Sequence, residues 1–256
     1  MYTTPLLNIS AVKFSNDNSS NDDFAIQFDS KKLRKYIGPL LANNINIMIH
    51  TSQDKSVHQA LDAIENLKKK HPRSTSKITL AHVNMVREKD FNRMKNLGII
   101  ANIQPFNAAG DGYYEYKYML FEAWEKKLVR FKTFFDNNIT VSASSDFPAC
   151  NISYSKCSPF LNMEIAVTRQ QVGTSVDAPI LSSTQEKLSI EQIIQAYTLN
   201  AAYQLGMEQN LGSIEVGKYA DLIVLNQNLL DINSKKIHKT IVKMTIMNGE
   251  IVYEKQ

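Results

Sequence analysis

Between residues 9 and 144, short apolar runs with β-strand character alternate with segments of helical periodicity. This alternation predicts parallel strands joined by right-handed helical crossovers, as in a barrel or a doubly wound sheet. Five strands are predicted, at Ile9–Phe14, Ile45–His50, Ile78–His82, Ile99–Ile103 and Thr140–Ser144. The chain has 256 residues, 43% of them hydrophobic, so it is long enough to bury a core between this sheet and its helices.

Helical periodicity separates the predicted strands. Apolar residues share one helical face in 33–41, in 57–67 and in 91–97, and aromatic residues that we expect to fill the core recur between Phe121 and Phe135. Further on, Ile190–Leu205 is typical of one amphipathic helix, with Ser189 as N-cap and Gly206 just beyond its end. After Gly212, β-rich runs at 221–225 and 241–253 predict a separate small β module.

Charge and cysteine content exclude several classes of protein. Lys and Arg total 29 against 25 Asp and Glu, and this +4 balance forms no basic stripe, so we expect no nucleic-acid partner. No apolar run approaches the ~20 residues of a membrane span, so no membrane partner is expected either. Cys150 and Cys157 are too few for a disulfide framework. A cytoplasmic protein with inert thiols is the resulting expectation.

Polar residues lie at the carboxyl ends of four predicted strands. Lys13 is near the end of the first, His50 and His82 end the second and third, and Asp146 follows the last. Active sites of parallel α/β proteins lie at this edge, so these side chains are expected to converge. Two imidazoles and a carboxylate are a suitable ligand set for Zn²⁺ or a similar cation. The remaining histidines, at 58, 71 and 238, are expected to be surface residues.

Several segments resemble the amidohydrolase superfamily, and within it the branch that includes N-substituted formamide deformylases. The segments similar to strand-end motifs of that branch are His50–Lys55, Ile78–His82, Asn102–Pro105 and Ser145–Pro148, and Ala166–Arg169 is similar to its short Thr-Arg signature. Ala196–Ala202 and Leu211–Leu225 are similar to the superfamily's ending, which is structural and does not identify a substrate.

The resemblance implies an α/β fold, a partial TIM-type (β/α) barrel with the equivalents of strands 4 to 8 and a small C-terminal β-sandwich remnant. Residues 1–208 would form the partial metal-dependent hydrolase barrel, and 209–256 the C-terminal part of a composite β-sandwich domain. It further implies that His50 and His82 bind one divalent metal, expected to be zinc, that Asp146 binds a second and acts as general base, and that Lys13 bridges the two. The implied reaction is hydrolysis of a non-peptide carbon-nitrogen bond in a small amide or N-formyl substrate; no substrate-binding residue is assigned.

The sequence departs from the family pattern in one large respect. The His-x-His metal motif of the first barrel strand is absent from these residues. The predicted strands recur about every 33 residues, close to the ~31 of an eight-unit barrel, so three strands are expected to be missing. Ala81 stands where the branch commonly has Glu, and Ser52 and Gln53 where Ile-Gly is usual. We therefore expect a truncated enzyme, impaired as an isolated chain. The alternative is a non-catalytic remnant or pseudoenzyme, or one half of a split enzyme that needs a partner chain.

An open sheet of five strands also predicts association. Its outer strands, Ile9–Phe14 and Thr140–Ser144, would leave backbone groups unpaired. Its inner face would expose Ile47, Ile49 and Leu80, or the residues that alternate with them. A homo-oligomer, or a missing N-terminal chain as partner, is the expected consequence.

Overall fold

The computed structural model describes residues 10–15, 29–109, 127–147, 157–181 and 183–255. The α-helices are α1 Ser30–Ala42, α2 Asp54–Lys70, α3 Glu88–Asn96, α4 Phe131–Asp136, α5 Pro159–Thr168, α6 Ile190–Tyr197 and α7 Leu199–Leu205. The strands are β1 Val12–Ser15, β2 Ile47–Thr51, β3 Ile78–His82, β4 Ile99–Ile103, β5 Thr140–Ala143, β6 Leu222–Leu225, β7 Val242–Met247 and β8 Glu250–Glu254. Short 3-10 helices occur at Pro105–Ala108, Thr184–Glu186 and Ser234–Lys239. Within the described ranges, no helix is long and apolar enough to cross a membrane.

The chain forms two compact units, each built from separate segments. The first comprises Met1–Ile103, Thr133–Val141 and Gln204–Gly206, and the second comprises Gln104–Lys132, Ser142–Tyr203 and Met207–Gln256. The division of the chain into 1–208 and 209–256 stays a prediction.

The predicted sheet is present, with strand order β1-β2-β3-β4-β5. Strands β1 to β4 pair in parallel, with Ile47 opposite Ile78 and Ile78 opposite Ile99. Strands β3 and β4 have the predicted bounds, whereas β2 extends one residue further, to Thr51. Ile9, the predicted start of the first strand, lies outside the described residues.

One side of β2 and β3 packs in the core of the first unit. Ile47, Ile49 and Leu80 are at most 1% exposed. The apolar stripes of α1 and α2, which include Leu33 and Ile64, are equally buried. Burying each such side chain contributes roughly 1.5–3 kcal/mol.

The apolar patch expected on the sheet is not found on these strands. Besides the three aliphatic residues just described, the alternating residues Thr79 and Ala81 are buried, and Met48 is half-buried. The expectation that an open sheet leaves an apolar patch at these positions is therefore wrong. Whether the chain associates stays a prediction.

A cluster of charged side chains ties α2 to α3. Asp90, fully buried, accepts hydrogen bonds from His58 Nδ1 at 2.9 Å and from Arg93 Nη1 at 2.9 Å. Arg93 Nη2 also donates to Asp62 at 2.7 Å and to Glu65 at 3.0 Å. Burial alone lowers the pKa of Arg93, but hydrogen bonds to the three carboxylates outweigh it and raise the pKa. His58 is thus a partner of a buried carboxylate rather than the surface residue expected.

In the second unit, Arg169 lies fully buried just after α5. Its backbone is left-handed, with φ +58°. The guanidinium donates to the carbonyl oxygens of Val129 at 2.9 Å and Leu181 at 3.4 Å, and its carbon atom lies 5.1 Å from the centre of the Phe131 ring. Arg169 therefore joins three separate segments, which gives the arginine of the Thr-Arg signature a structural role.

The sequence predicted one helix over 190–205, but the structure has two, which meet at Thr198. The backbone of Thr198 leaves helical values, with ψ −91°, and its hydroxyl donates to the Ile194 carbonyl at 2.8 Å. Such bonds from a threonine back to the preceding turn compete with helix continuation. Ser189 caps the first helix as predicted, and Gly206 follows the second with φ +74°.

Gly212 lies against this helix break. A Cβ atom at Gly212 would come within 2.7 Å of the Ala202 Cβ atom and 2.9 Å of the Leu199 Cα atom, and φ is +92°. The glycine of the Leu211–Leu225 motif is therefore required both by space and by backbone conformation.

We expect Gly212→Ala to lower the free energy of unfolding by about 2–3 kcal/mol, because the added methyl group meets backbone as well as a side chain. Gly217→Ala is the matched control, since φ is +95° there but nothing lies within 4 Å of the added atom. It should cost only about 1 kcal/mol. Urea denaturation of both variants measures the difference, and equal losses would contradict the steric argument.

The β module is a three-stranded antiparallel sheet of order β6-β7-β8. The run predicted over 241–253 divides into β7 and β8 at Asn248-Gly249, whose φ values are +50° and +85°. Such values are typical of the tight type I′ turns that suit hairpins.

Of the two cysteines, only Cys157 is among the described residues. It takes part in a disulfide in this structure, in contrast to the free, inert thiol that we expected. Cys150 lies outside the described residues.

Candidate metal centre

His50 and His82 lie side by side at the carboxyl ends of neighbouring strands. Their ring centroids are 4.1 Å apart, with an angle of 57° between the ring planes. His82 is 6% exposed and His50 is half-buried. The pair is therefore a preformed cluster of two imidazoles at the edge of the sheet where the sequence predicted a site.

Regular strands would not bring these rings together. In the β2–β3 register His50 is opposite Ala81, and Thr51 is opposite His82, so the two histidines belong to opposite faces of the sheet. The backbone of His82 is left-handed, with φ +74°, and Val83 has φ +42°. This interrupts the alternation of side chains at the last residue of β3. The departure from strand geometry is thus what pairs the two rings.

Hydrogen bonds beyond the strand ends hold this backbone in place. The Val83 amide donates to the Thr51 carbonyl at 2.9 Å, and the Met85 amide donates to the Ser52 carbonyl at 3.1 Å. A positive φ at a β-branched residue such as Val83 costs of order 1–3 kcal/mol. Strain of this kind concentrates at functional sites, where the surrounding structure maintains it.

Ser52, one of the departures from the family pattern, contacts this pair. Its Oγ atom lies 3.4 Å from Nε2 of His50, at the long end of hydrogen-bonding distance. Ser52 itself is 6% exposed. The hydroxyl therefore lies beside one of the two ring nitrogens of His50.

Lys13 is on the same face of the sheet as His50. In the β1–β2 register, Lys13 is opposite Met48 and Ser15 is opposite His50. Lys13 is therefore two residues before the β1 residue that lies opposite His50, and side chains two residues apart on a strand share a face. Its side chain is exposed. A bridging role for Lys13 stays a prediction.

Asp146 belongs to the second unit. It follows β5, is half-buried, and has a left-handed backbone with φ +53°. Nearby, the buried Gln104 donates from Nε2 to the Ser144 hydroxyl at 2.9 Å. The convergence of Asp146 with the two histidines stays a prediction.

Gln104 had no role in the sequence-based site, although it was part of a quoted motif. The signal that could have found it was the same as for the histidines, namely a polar residue directly after a buried strand. It supports the segment before Asp146 by bonding Ser144. Across the described ranges, no group of three or more His, Cys, Asp or Glu side chains is arranged to hold a metal ion.

The donor set at His50 and His82 fits a divalent cation. Two imidazoles on one zinc ion, with Zn–N distances of about 2.0–2.1 Å, place their centroids about 5 Å apart. Small side-chain rotations reach that separation from 4.1 Å. Imidazole nitrogen suits zinc, copper, iron and nickel better than it suits magnesium or calcium.

Comparison with known proteins identifies the family. Residues 13–253 match the model of the Amidohydrolase family. The chain belongs to this family. An amidohydrolase relative, the N-substituted formamide deformylase of Arthrobacter pascens, is 27% identical over 217 residues, which cover 82% of this chain and 37% of that enzyme.

Solved structures show the same fold. An uncharacterised metal-dependent hydrolase from Pyrococcus furiosus aligns with a TM-score of 0.71 and 21% identity, covering 90% of this chain and 47% of that protein. Another, from Pyrococcus horikoshii, aligns with a TM-score of 0.73 and 20% identity, covering 88% and 46%. This amidohydrolase chain therefore spans less than half the length of the formamide deformylase and of the two Pyrococcus proteins.

Proposed function

We propose that this chain is part of a metal-dependent hydrolase that cleaves non-peptide carbon-nitrogen bonds of amide or N-formyl type. The observation that carries the proposal is the pair of imidazoles, 4.1 Å apart, held together by strained backbone at the end of β3. Membership of the amidohydrolase family and the likeness to a formamide deformylase support the substrate class.

In this proposal His50 and His82 hold the cation, and Asp146 moves the proton. A divalent metal, when bound, supplies Lewis-acid polarisation of the substrate carbonyl. Asp146 would accept a proton from the attacking water and deliver it to the leaving amine nitrogen, as a carboxylate general base and acid does. Its assignment rests on the sequence resemblance, and Lys13 as a bridging ligand rests on the same ground.

The proposed architecture is a partial TIM-type barrel with a β-sandwich remnant. A parallel sheet followed by a small antiparallel one supports it, as does a match to less than half of each of the two Pyrococcus structures. Since these 256 residues contain no His-x-His motif, the histidine ligands that the family pattern has for a second metal are not among them. We therefore propose that hydrolysis by this chain alone is impaired, far below the ~10 s⁻¹ median of enzymes.

The test is hydrolysis of N-formyl amines by the purified chain in the presence of zinc, measured as release of the free amine. We expect slow turnover that His50→Ala and Asp146→Asn abolish and that His71→Ala leaves unchanged. His71 is a suitable control because it follows α2, away from the strand ends. Turnover that survives His50→Ala would exclude this site as its source. Zinc bound without any turnover would favour the non-catalytic alternative, and fast turnover would contradict impairment.

A further inference from the structure

A cavity of about 360 Å³ lies in the second unit. It is lined by cationic and uncharged residues, namely Gly173, Thr174, Val176, Asn233, Lys235, Lys236, His238 and Lys239. Three lysines and a histidine therefore share one small concave surface, and none of the lining residues that the structure describes carries a carboxylate. Within the described residues, none of the three lysines forms an ion pair.

A buried carboxylate holds His238, which lines one side of the cavity. Glu164, on α5, is fully buried, and its Oε2 atom accepts hydrogen bonds from His238 Nδ1 at 2.6 Å and from the His238 amide at 3.0 Å. These bonds anchor the 3-10 helix Ser234–Lys239 onto α5 and engage one ring nitrogen of His238. His238 is thus a built element of the cavity and not the surface residue expected from sequence.

The opposite wall is fixed by a buried amide. Gln170, 5% exposed, donates from Nε2 to the carbonyls of Val176 and Ala178 at 3.0 and 2.5 Å, which folds the loop 171–178 back on itself. Thr174 projects from that loop and accepts a hydrogen bond from Lys235 Nζ at 3.3 Å. Both walls are therefore held by buried polar side chains, so a ligand would order little of the cavity on binding.

From this arrangement we infer a binding site for the phosphate group of a small soluble molecule. Like charges gathered on one concave surface repel each other, and an anion relieves that repulsion. Lysine ammonium groups bind phosphate as point charges, and the cations among the described lining residues are lysines. A concave surface of about 360 Å³ has room for a phosphorylated small molecule but not for an extended nucleic-acid backbone.

The test is calorimetric titration of the chain with inorganic pyrophosphate at about 0.15 M salt, where exposed charges are largely screened. We expect saturable one-to-one binding with Kd at or below about 1 mM. The double variant Lys235→Gln, Lys239→Gln should weaken it by roughly 10-fold or more. Lys243→Gln, an exposed lysine on β7, is the matched control and should change nothing.

Three results would overturn the site: no saturable binding, equal weakening by the control variant, or binding that follows ionic strength alone. Sedimentation with vesicles that contain phosphatidic acid tests the other source of phosphate groups. Binding to vesicles without binding to pyrophosphate would replace the small molecule by a lipid headgroup. Circular dichroism of each variant establishes that weakened binding does not reflect unfolding.

Discussion

Zinc binding to this chain is expected to weaken by at least about 100-fold when His82 is replaced by Ala. Losing a residue that only orients a metal ligand costs 10–100-fold in metal affinity, and losing a ligand itself costs more. In the His82→Ala variant, His50 is the one imidazole that remains of the pair. Competition with a chromophoric chelator, followed by absorbance, measures the affinity.

The backbone of His82 calls for a second variant. Alanine at φ +74° adds strain, whereas asparagine tolerates the left-handed region. His82→Asn should therefore lose zinc as His82→Ala does, with a smaller loss of stability. His71→Ala controls for adventitious binding by surface histidines. Zinc affinity within 3-fold of the unmodified chain in both His82 variants would exclude His82 as a ligand.

The second large effect concerns folding. Arg169→Ala is expected to lower the free energy of unfolding by about 3–5 kcal/mol, because it empties a fully buried site and leaves carbonyl oxygens without their charged donor. The contact of the guanidinium with the Phe131 ring is lost as well. Urea denaturation monitored by circular dichroism measures the change.

Two controls separate the contacts of Arg169 from its charge. Arg73→Ala removes an exposed arginine and should change stability by less than about 0.5 kcal/mol. Arg169→Lys keeps the charge but not the planar group of donors, and we expect an intermediate loss. If Arg169→Ala were as stable as Arg73→Ala, the buried guanidinium would not be what joins its three segments.

Much of the fold could be predicted because its strands are continuous apolar runs. Strands β3 and β4 match their predicted bounds, and the Asn248-Gly249 hairpin has clear turn chemistry. The break at Thr198 could not be predicted, since the apolar pattern of 190–205 continues through it. The interruption depends on a threonine hydroxyl bonding back and on the approach of Gly212, a contact distant in sequence.

For the candidate site, the sequence predicted that His50 and His82 lie close together but not how they do so. Strand ends pointed to His50 and His82, and the structure brings these two together. Strand alternation alone would have placed them on opposite faces of the sheet. Their pairing results from the left-handed backbone of His82 at the end of β3, and the sequence does not indicate that conformation. The roles of His58 and His238 were missed for a similar reason, since Asp90 and Glu164 are 32 and 74 residues away along the chain.

The segmented make-up of the first unit has a consequence for synthesis of the chain on the ribosome. The side chain of Asn102 donates to Gln204 Oε1 at 3.2 Å, so a contact within that unit waits for residues made about a hundred positions later. At 5–20 residues per second, this interval lasts roughly 5–20 s. During that time the first unit has its early strands but lacks its last segment, Gln204–Gly206, which makes the period a natural point for chaperones to act.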